Sequence, residues 1–461
     1  MCLRGLSSRM YTGPMNPDAD SAASEASDPA QPLPRSKPTP NAEPARVIDS
    51  PQAPSLPRES GIRYAFSSLK NRNFLFLWLG MVCLMAGINM QMIARGYLVY
   101  EITERPFLLG VVNAGAALPI LGLSLFGGAF ADRMDRRRII QGGQFTSLVL
   151  TLAVAVLINL DAVTWQMLFI ASMLQGAMWA FMMPARQAII PQIVGEDKVT
   201  NALALNAAGM SATTLLAPAI AGWIYAGIGP AGVYYVIAAL SFFAVFFTTL
   251  VRYDGAKPVG TKTNMRSDIA DGLRYIVKSP MVLLLLMMGL ATTMLAMPFR
   301  FLIPVFVVEL YDRGPEALGL LVSVMGLGSL AGAMFIASMG KWRRGIMLIA
   351  GSLMSGLGLI LVAAFPFYMA AVAIMLLLGL GDATRRTLNE SLIMEVVEDR
   401  FRGRVMSVFM MNFGLMPLGV LPAGLAIELY GGQATAAFLG IVLVLVAAGV
   451  LVTQRKLRDF K

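Results

Sequence analysis

Within the long apolar runs of this 461-residue chain stand a few polar side chains whose types and spacing could do chemistry. Gln91 and Arg95 are four residues apart, hence on one helix face, with Asn89 about one turn deeper. Asn113, Gln175, Trp179, Asn206, Thr213 and a second cation, Arg300, lie in other apolar stretches, and Pro298 could kink the helix that carries Arg300. Amides and charges placed in hydrocarbon are costly, and by default they mark a substrate or ion path. A central cavity lined by these side chains would suit an amphipathic or partly anionic solute. The competing reading is interhelical hydrogen bonding for the amides and Thr213, and snorkelling of Arg95 and Arg300 to the outer interface.

Acids are scarcer still. Asp382, in the inner third of its run, is the candidate proton carrier, and Glu101, Glu309 and Glu428 sit at outer run ends. Arg386 follows Asp382 by four residues, and an ion pair between them would keep the carboxylate ionised and inert. A second constellation is GGAFADRMDRRRII at 127–140. Gly128 allows close helix approach, and Asp132 can accept from a neighbouring helix N-terminus. Arg133, Arg136 and Arg137 can pair with acids of facing loops, such as Glu395, Glu398 or Asp399, and so latch one end of the molecule. Plain membrane anchoring by the basic residues is the alternative. GKWRRG at 340–345 is the second-half counterpart; without the Asp-Arg pair it can anchor but is a poor latch.

The chain has no histidine, which excludes His-based catalysis, ligation and proton relay, and its cysteines are Cys2 and Cys83 alone. Neither a phosphate-binding loop nor a catalytic set is present, so no enzyme activity, cofactor or metal is expected. Glycine clusters such as GLGSLAG at 326–332 have no following Lys, and Gly328 and Gly332 form a G-x-x-x-G packing face.

The elements that must position these groups follow from composition. The chain is 57% hydrophobic and 14% charged, against roughly 25% charged in soluble proteins. This excludes a soluble enzyme, a nucleic-acid binder and a secreted disulfide scaffold. Hydrophobic spans are expected near 74–98, 107–130, 139–159, 164–183, 201–228, 231–251, 281–308, 316–339, 344–364, 367–388, 404–428 and 434–454. About 20 apolar residues cross the ~30 Å hydrocarbon core as a helix, and runs without period-2 alternation exclude a barrel. The expected fold is an all-α polytopic membrane protein of twelve transmembrane helices. Of 37 Lys and Arg, only Arg95, Arg105, Arg300 and Arg313 fall near one side. The positive-inside rule makes the other side, with both termini, cytoplasmic. The net charge of +10 is thus a topology signature rather than a nucleic-acid surface.

Residues 1–60 hold eleven of the 25 prolines and read as a disordered cytoplasmic tail without a signal peptide. Residues 61–251 and 281–454 form two six-helix halves, 252–280 the central loop and 455–461 a C-terminal tail. In that loop Ile269, Leu273 and Ile276 suggest an amphipathic helix on the inner membrane face, or else a solvated linker with one helical turn. The halves match in order, Arg95 with Arg300, QIVGED with EVVEDR, Asn206 with Asn412 and Pro218 with Pro422, as after duplication.

The loop at 127–140 resembles the loop 2–3 signature of the major facilitator superfamily, with Phe130 for its usual Leu and Asp135 for its usual Gly. NRNFLFLWLG, QMIARGYLVYEIT, PARQAIIPQIVGEDKVTNALALN, DIADGLRYIVKSP and RGRVMSVFMMNFGLMPLG together are similar to the exporter branch that contains the enterobactin exporter and multidrug-type permeases. Span five keeps Pro218 and Gly222 of the proton-antiporter pattern and departs from it at Ala204, Thr213, Ala217 and Ala221. The resemblance implies two halves rocking about a midplane site and proton-driven export of an amphipathic small molecule, drug-like or siderophore. It implies a monomer in the bacterial inner membrane, with the lipid bilayer, the solute and protons as partners. Import of a small hydrophilic solute, lipid translocation, and a membrane sensor or scaffold using the Pro-rich tail are the alternatives.

Overall fold

Local signals start most of the helices. Asn71 accepts from the amides of Asn73 and Phe74 at 3.0 and 3.3 Å and caps α1, Arg72–Thr103. Asp135 caps α3, Arg136–Asn159, and Thr164 caps α4, Trp165–Val194, while proline opens the intervening α2, Pro106–Gly115, which runs on helically to Leu123. Proline suits the first turn because its missing N–H has no intrahelical partner there. The computed structural model describes residues 67–123, 134–195, 198–252, 265–339 and 343–458. The later helices are α5, Val199–Leu250; α6, Met265–Lys278; α7, Pro280–Val305, extended by a π turn at Phe306–Leu310; α8, Pro315–Met339; and α9, Arg344–Ala364. They continue with α10, Tyr368–Val396; α11, Asp399–Gly414; α12, Pro417–Tyr430; α13, Gly432–Thr453; and α14, Arg455–Arg458. There is no strand among the described residues.

Ten of the described helices are long and apolar enough to cross a membrane. One expected span, the eleventh, differs, while spans five and six divide where expected: the 52-residue α5 turns at the non-helical Gly229 (φ 78°, ψ 177°) before Pro230. Only glycine adopts that conformation cheaply, so one residue replaces a loop. Span eleven is not continuous: α11 stops at Gly414 and α12 starts at Pro417. Proline lacks the N–H and crowds the preceding turn, which ends the first segment. The expected tail at 1–60 and part of the central loop, 253–264, lie outside the described residues.

Apolar packing divides into three clusters. One joins both halves, with Met90, Ile93 and Val99 of α1 meeting Leu302 and Ile303 of α7 and Leu318 and Leu321 of α8. The second belongs to the first half alone and includes Phe74, Leu77, Met182 and Ile189. The third belongs to the second half alone and includes Leu285, Leu348, Leu392 and Val405. The shared cluster uses the end of α1, away from the basic loops, and the separate ones lie at the basic end. The two halves are therefore bolted together at the far end, and each has its own core at the basic end.

Helix α6 exists as expected, and its C-terminal part docks on the second half. Ile276 is buried in the second-half core while Leu273 stays exposed. Tyr275 stacks on Phe401, ring centroids 4.3 Å apart, and its hydroxyl accepts from the Glu398 amide at 3.3 Å. The aromatic pair and the buried isoleucine hold this part of α6 against α11.

Candidate functional site

Arg95 gathers residues from three helices. Its Nη1 donates to Ser172 Oγ at 2.9 Å and to Gln175 Oε1 at 3.4 Å, and its Nη2 to Asn113 Oδ1 at 3.4 Å. Gln175 Nε2 in turn donates to Gln91 Oε1 at 2.5 Å. Gln91 and Asn113 are buried, and Arg95 Nε is buried without a partner. Snorkelling is thus overturned for Arg95, since neutral dipoles inside the first half hold the guanidinium. None of those dipoles is an acid, so the positive charge there is solvated but not neutralised. Ser172, fully buried, is the member that sequence reasoning missed. Serine is common enough in membrane helices to carry no signal of its own.

Other expected members lie elsewhere. Asn89 donates back to the Met85 carbonyl of its own helix at 2.9 Å. Thr213 donates to the Met210 carbonyl at 2.9 Å, also within its helix. Trp179 packs on the first-half core, and Asn206 is half-buried on α5. Arg300 shares a cavity of about 260 Å³ with Asn113, Met92 and Pro304, between the halves. Among the described residues, no hydrogen bond or ion pair holds its guanidinium.

Asp382 pairs with Arg385, not with Arg386 as the sequence suggested. Positions i+3 and i+4 both flank a helical residue, and here Arg385 turns inward while Arg386 is exposed. The pair lines a cavity in the second half, about 480 Å³ with its open solvent included, together with Thr292, Ser352, Asn389 and Asn412. Asn389 Oδ1, Asn412 Nδ2 and Arg385 Nε are buried there without partners. Sequence reasoning missed Asn389 and took Asn412 only as a repeat match; Arg385 sat among basic residues already explained by topology.

At the far end three contacts join the halves. Arg105 Nε lies 2.7 Å from Glu428 Oε1, Tyr100 donates to Glu309, and the Ala219 amide donates to Ser323 Oγ at 3.0 Å. Glu101, by contrast, accepts from Tyr225 within the first half at 2.5 Å. Backbones also touch there: a Cβ on Gly319 of α8 would stand 2.4 Å from the Pro218 carbonyl oxygen. At the basic end, Gly128, Asp132 and Arg133 lie outside the described residues. Arg136 Nη1 donates to the Ala188 carbonyl at 3.1 Å and Arg137 Nη2 to the Thr249 carbonyl at 2.5 Å, both within the first half. Glu395, expected opposite those arginines, is bound at 3.1 Å by Arg344 of its own half.

Comparison with known proteins agrees with this architecture. The family model described as transmembrane secretion effector matches residues 63–461. The staphyloferrin A transporter of Staphylococcus aureus is 25% identical over 86% of this chain and 97% of its own. The multidrug efflux pump Tap of Mycolicibacterium fortuitum is 25% identical over 79% and 91%, and macrolide efflux protein A of Streptococcus pyogenes 23% over 78% and 90%. A variant of the nucleoside transporter NupG superposes with a TM-score of 0.72 at 14% identity, covering 83% of this chain and all of that one. A POT family transporter bound to a thioalcohol-conjugated peptide superposes at 0.67, also at 14% identity, covering 84% and 96%. With its helical bundle and buried polar sites, the chain belongs to the transmembrane secretion effector family of major facilitator transporters.

Proposed function

We propose that the protein exports an amphipathic small molecule across the bacterial inner membrane, driven by protons, its two halves rocking so that the site faces one side and then the other. Twelve crossings, counting α5 twice and α11 with α12 as one, put both termini and the basic end in the cytoplasm. The observation that carries the reading is the split core. The halves share one apolar cluster at the far end and keep separate ones at the basic end, with a polar cavity along the seam. That packing supports a transporter closed to the outside and ready to load from the cytoplasm. The efflux proteins among its relatives support the direction. Arg95, Gln91, Asn113, Gln175 and Arg300 would hold the solute, Asp382 would carry the proton, and Arg136 and Arg137 would belong to the basic-end latch.

The test is dye flux in vesicles containing the purified protein, with and without a pH gradient. The expected result is gradient-driven movement out of the side bearing the basic loops, lost in Asp382→Asn. Intact gradient-driven flux in that variant removes Asp382 from the coupling role. Cells lacking the protein should accumulate more of the solute; less accumulation of every candidate refutes export.

A further inference from the structure

The second-half cavity holds an imbalance of charge. Of the residues lining its roughly 480 Å³, Arg385 and Arg386 are cationic and Asp382 is the one acid. Arg300, one turn along α7 from the cavity-lining Met297, is within electrostatic reach of Asp382 and Arg386. The buried Arg385 and Arg300 nearby, with the exposed Arg386 at the cavity edge, therefore share one carboxylate, and an unneutralised charge inside the bundle is costly. Asp382 reaches only one arm of Arg385, leaving Nε buried and unpartnered. Across the cavity Asn389 Oδ1 and Asn412 Nδ2 are likewise unpartnered, on side chains 3% and 7% exposed. Buried polar atoms are rarely left unpaired unless something is meant to meet them.

Resting on the transport reading above, we infer that this cavity is a subsite for the carboxylate, or a similar compact anion, of an amphipathic solute. Arg385 and Arg386 would bind the anion, the amide of Asn412 would donate to it, and Asn389 Oδ1 would accept from a hydroxyl or amide of the same solute. Arg385 presents the fork that matches a carboxylate in two parallel bonds. Asp382 competes for the same guanidinium, so it acts as an internal stand-in that the solute displaces. The arrangement discriminates against cations, which would meet Arg385 and Arg386 with a single acid already engaged.

The test uses full-length protein in dodecyl maltoside and two dyes of similar size, anionic fluorescein and cationic rhodamine 123, with binding read by fluorescence anisotropy. Fluorescein is expected to bind the unaltered protein at least tenfold more tightly than rhodamine 123. Arg385→Gln should weaken fluorescein tenfold or more and Arg386→Gln several-fold, while Asp382→Asn, which frees Arg385, should strengthen it several-fold. Thermal unfolding of each variant checks folding; if Arg385→Gln does not fold, Arg385→Lys and Asp382→Asn carry the test. No fluorescein binding, equal binding in the arginine variants, or weaker binding in Asp382→Asn overturns the inference. Vesicle flux separates the two ideas. Transport of rhodamine 123 without fluorescein binding keeps the transporter and removes the anion subsite, whereas fluorescein binding without flux of any dye does the reverse.

Discussion

If the halves rock as proposed, backbone contact rather than charge is expected to close the far end, and Gly319→Ala tests which matters. A Cβ at Gly319 would lie 2.4 Å from the Pro218 carbonyl oxygen and 3.1 Å from the Gly222 Cα, both backbone atoms of the other half. Neither can swing aside as a side chain would. Overpacking of this kind costs about 1–3 kcal/mol. If the halves rock as proposed, this contact belongs to the state shut at the far end, and the cost falls on that state. The open population then rises about 5- to 150-fold. The Arg105–Glu428 pair is the rival clasp, but the Arg105 side chain is 58% exposed, and exposed pairs contribute about 0–1 kcal/mol. Val322, 3% exposed in the shared cluster, is the reporter. With Cys2 and Cys83 replaced by serine and Val322→Cys introduced, an impermeant maleimide added from the far side should label Gly319→Ala about 5–150 times faster. Gly142→Ala, where an added Cβ meets nothing within 4 Å, should not change the rate. Unchanged labelling in Gly319→Ala, together with faster labelling in Arg105→Ala, would refute the reasoning and make the ion pair the clasp.

Three further outcomes are expected. Arg95→Gln removes a charged donor from Ser172 and Asn113, worth about 1.5–3 kcal/mol per bond; dye flux should fall at least tenfold while thermal unfolding shows a folded protein. Gly328→Leu drives a side chain into the Leu376 carbonyl, 2.2 Å from the added Cβ, and should lower the melting temperature and yield, unlike Gly142→Leu. A double-mutant cycle on Arg344 and Glu395, both part-exposed, should return a coupling of at most ~1 kcal/mol.

Much of the fold was legible because a bilayer imposes length: only helices of span size satisfy their own backbone there. Apolar runs therefore gave the spans, and lysine and arginine gave the expected sidedness. Glycine and proline marked the turn at Gly229–Pro230, between the expected spans five and six, whereas Leu415–Met416 interrupts span eleven with no change in hydropathy. Of the polar set, Gln91, Arg95, Asn113 and Gln175 were readable because each is expensive in lipid. Ser172 is cheap there, and Arg385 and Asn389 were hidden at a basic helix end. Helical periodicity could not choose between Arg385 and Arg386 as the partner of Asp382, since both neighbour it. Only the packing of α10 against α7 and α9 turned one inward.

The threefold division of the core also has a mechanical meaning. Pulled apart from the end that carries the basic loops, the two small cores do not resist one another, because no apolar cluster is common to them. Force would be borne almost wholly by the shared cluster and by the glycine contacts beside it. Single-molecule unfolding should then show the halves hinging before either unravels, with the far end acting as the pivot on which the whole molecule bends.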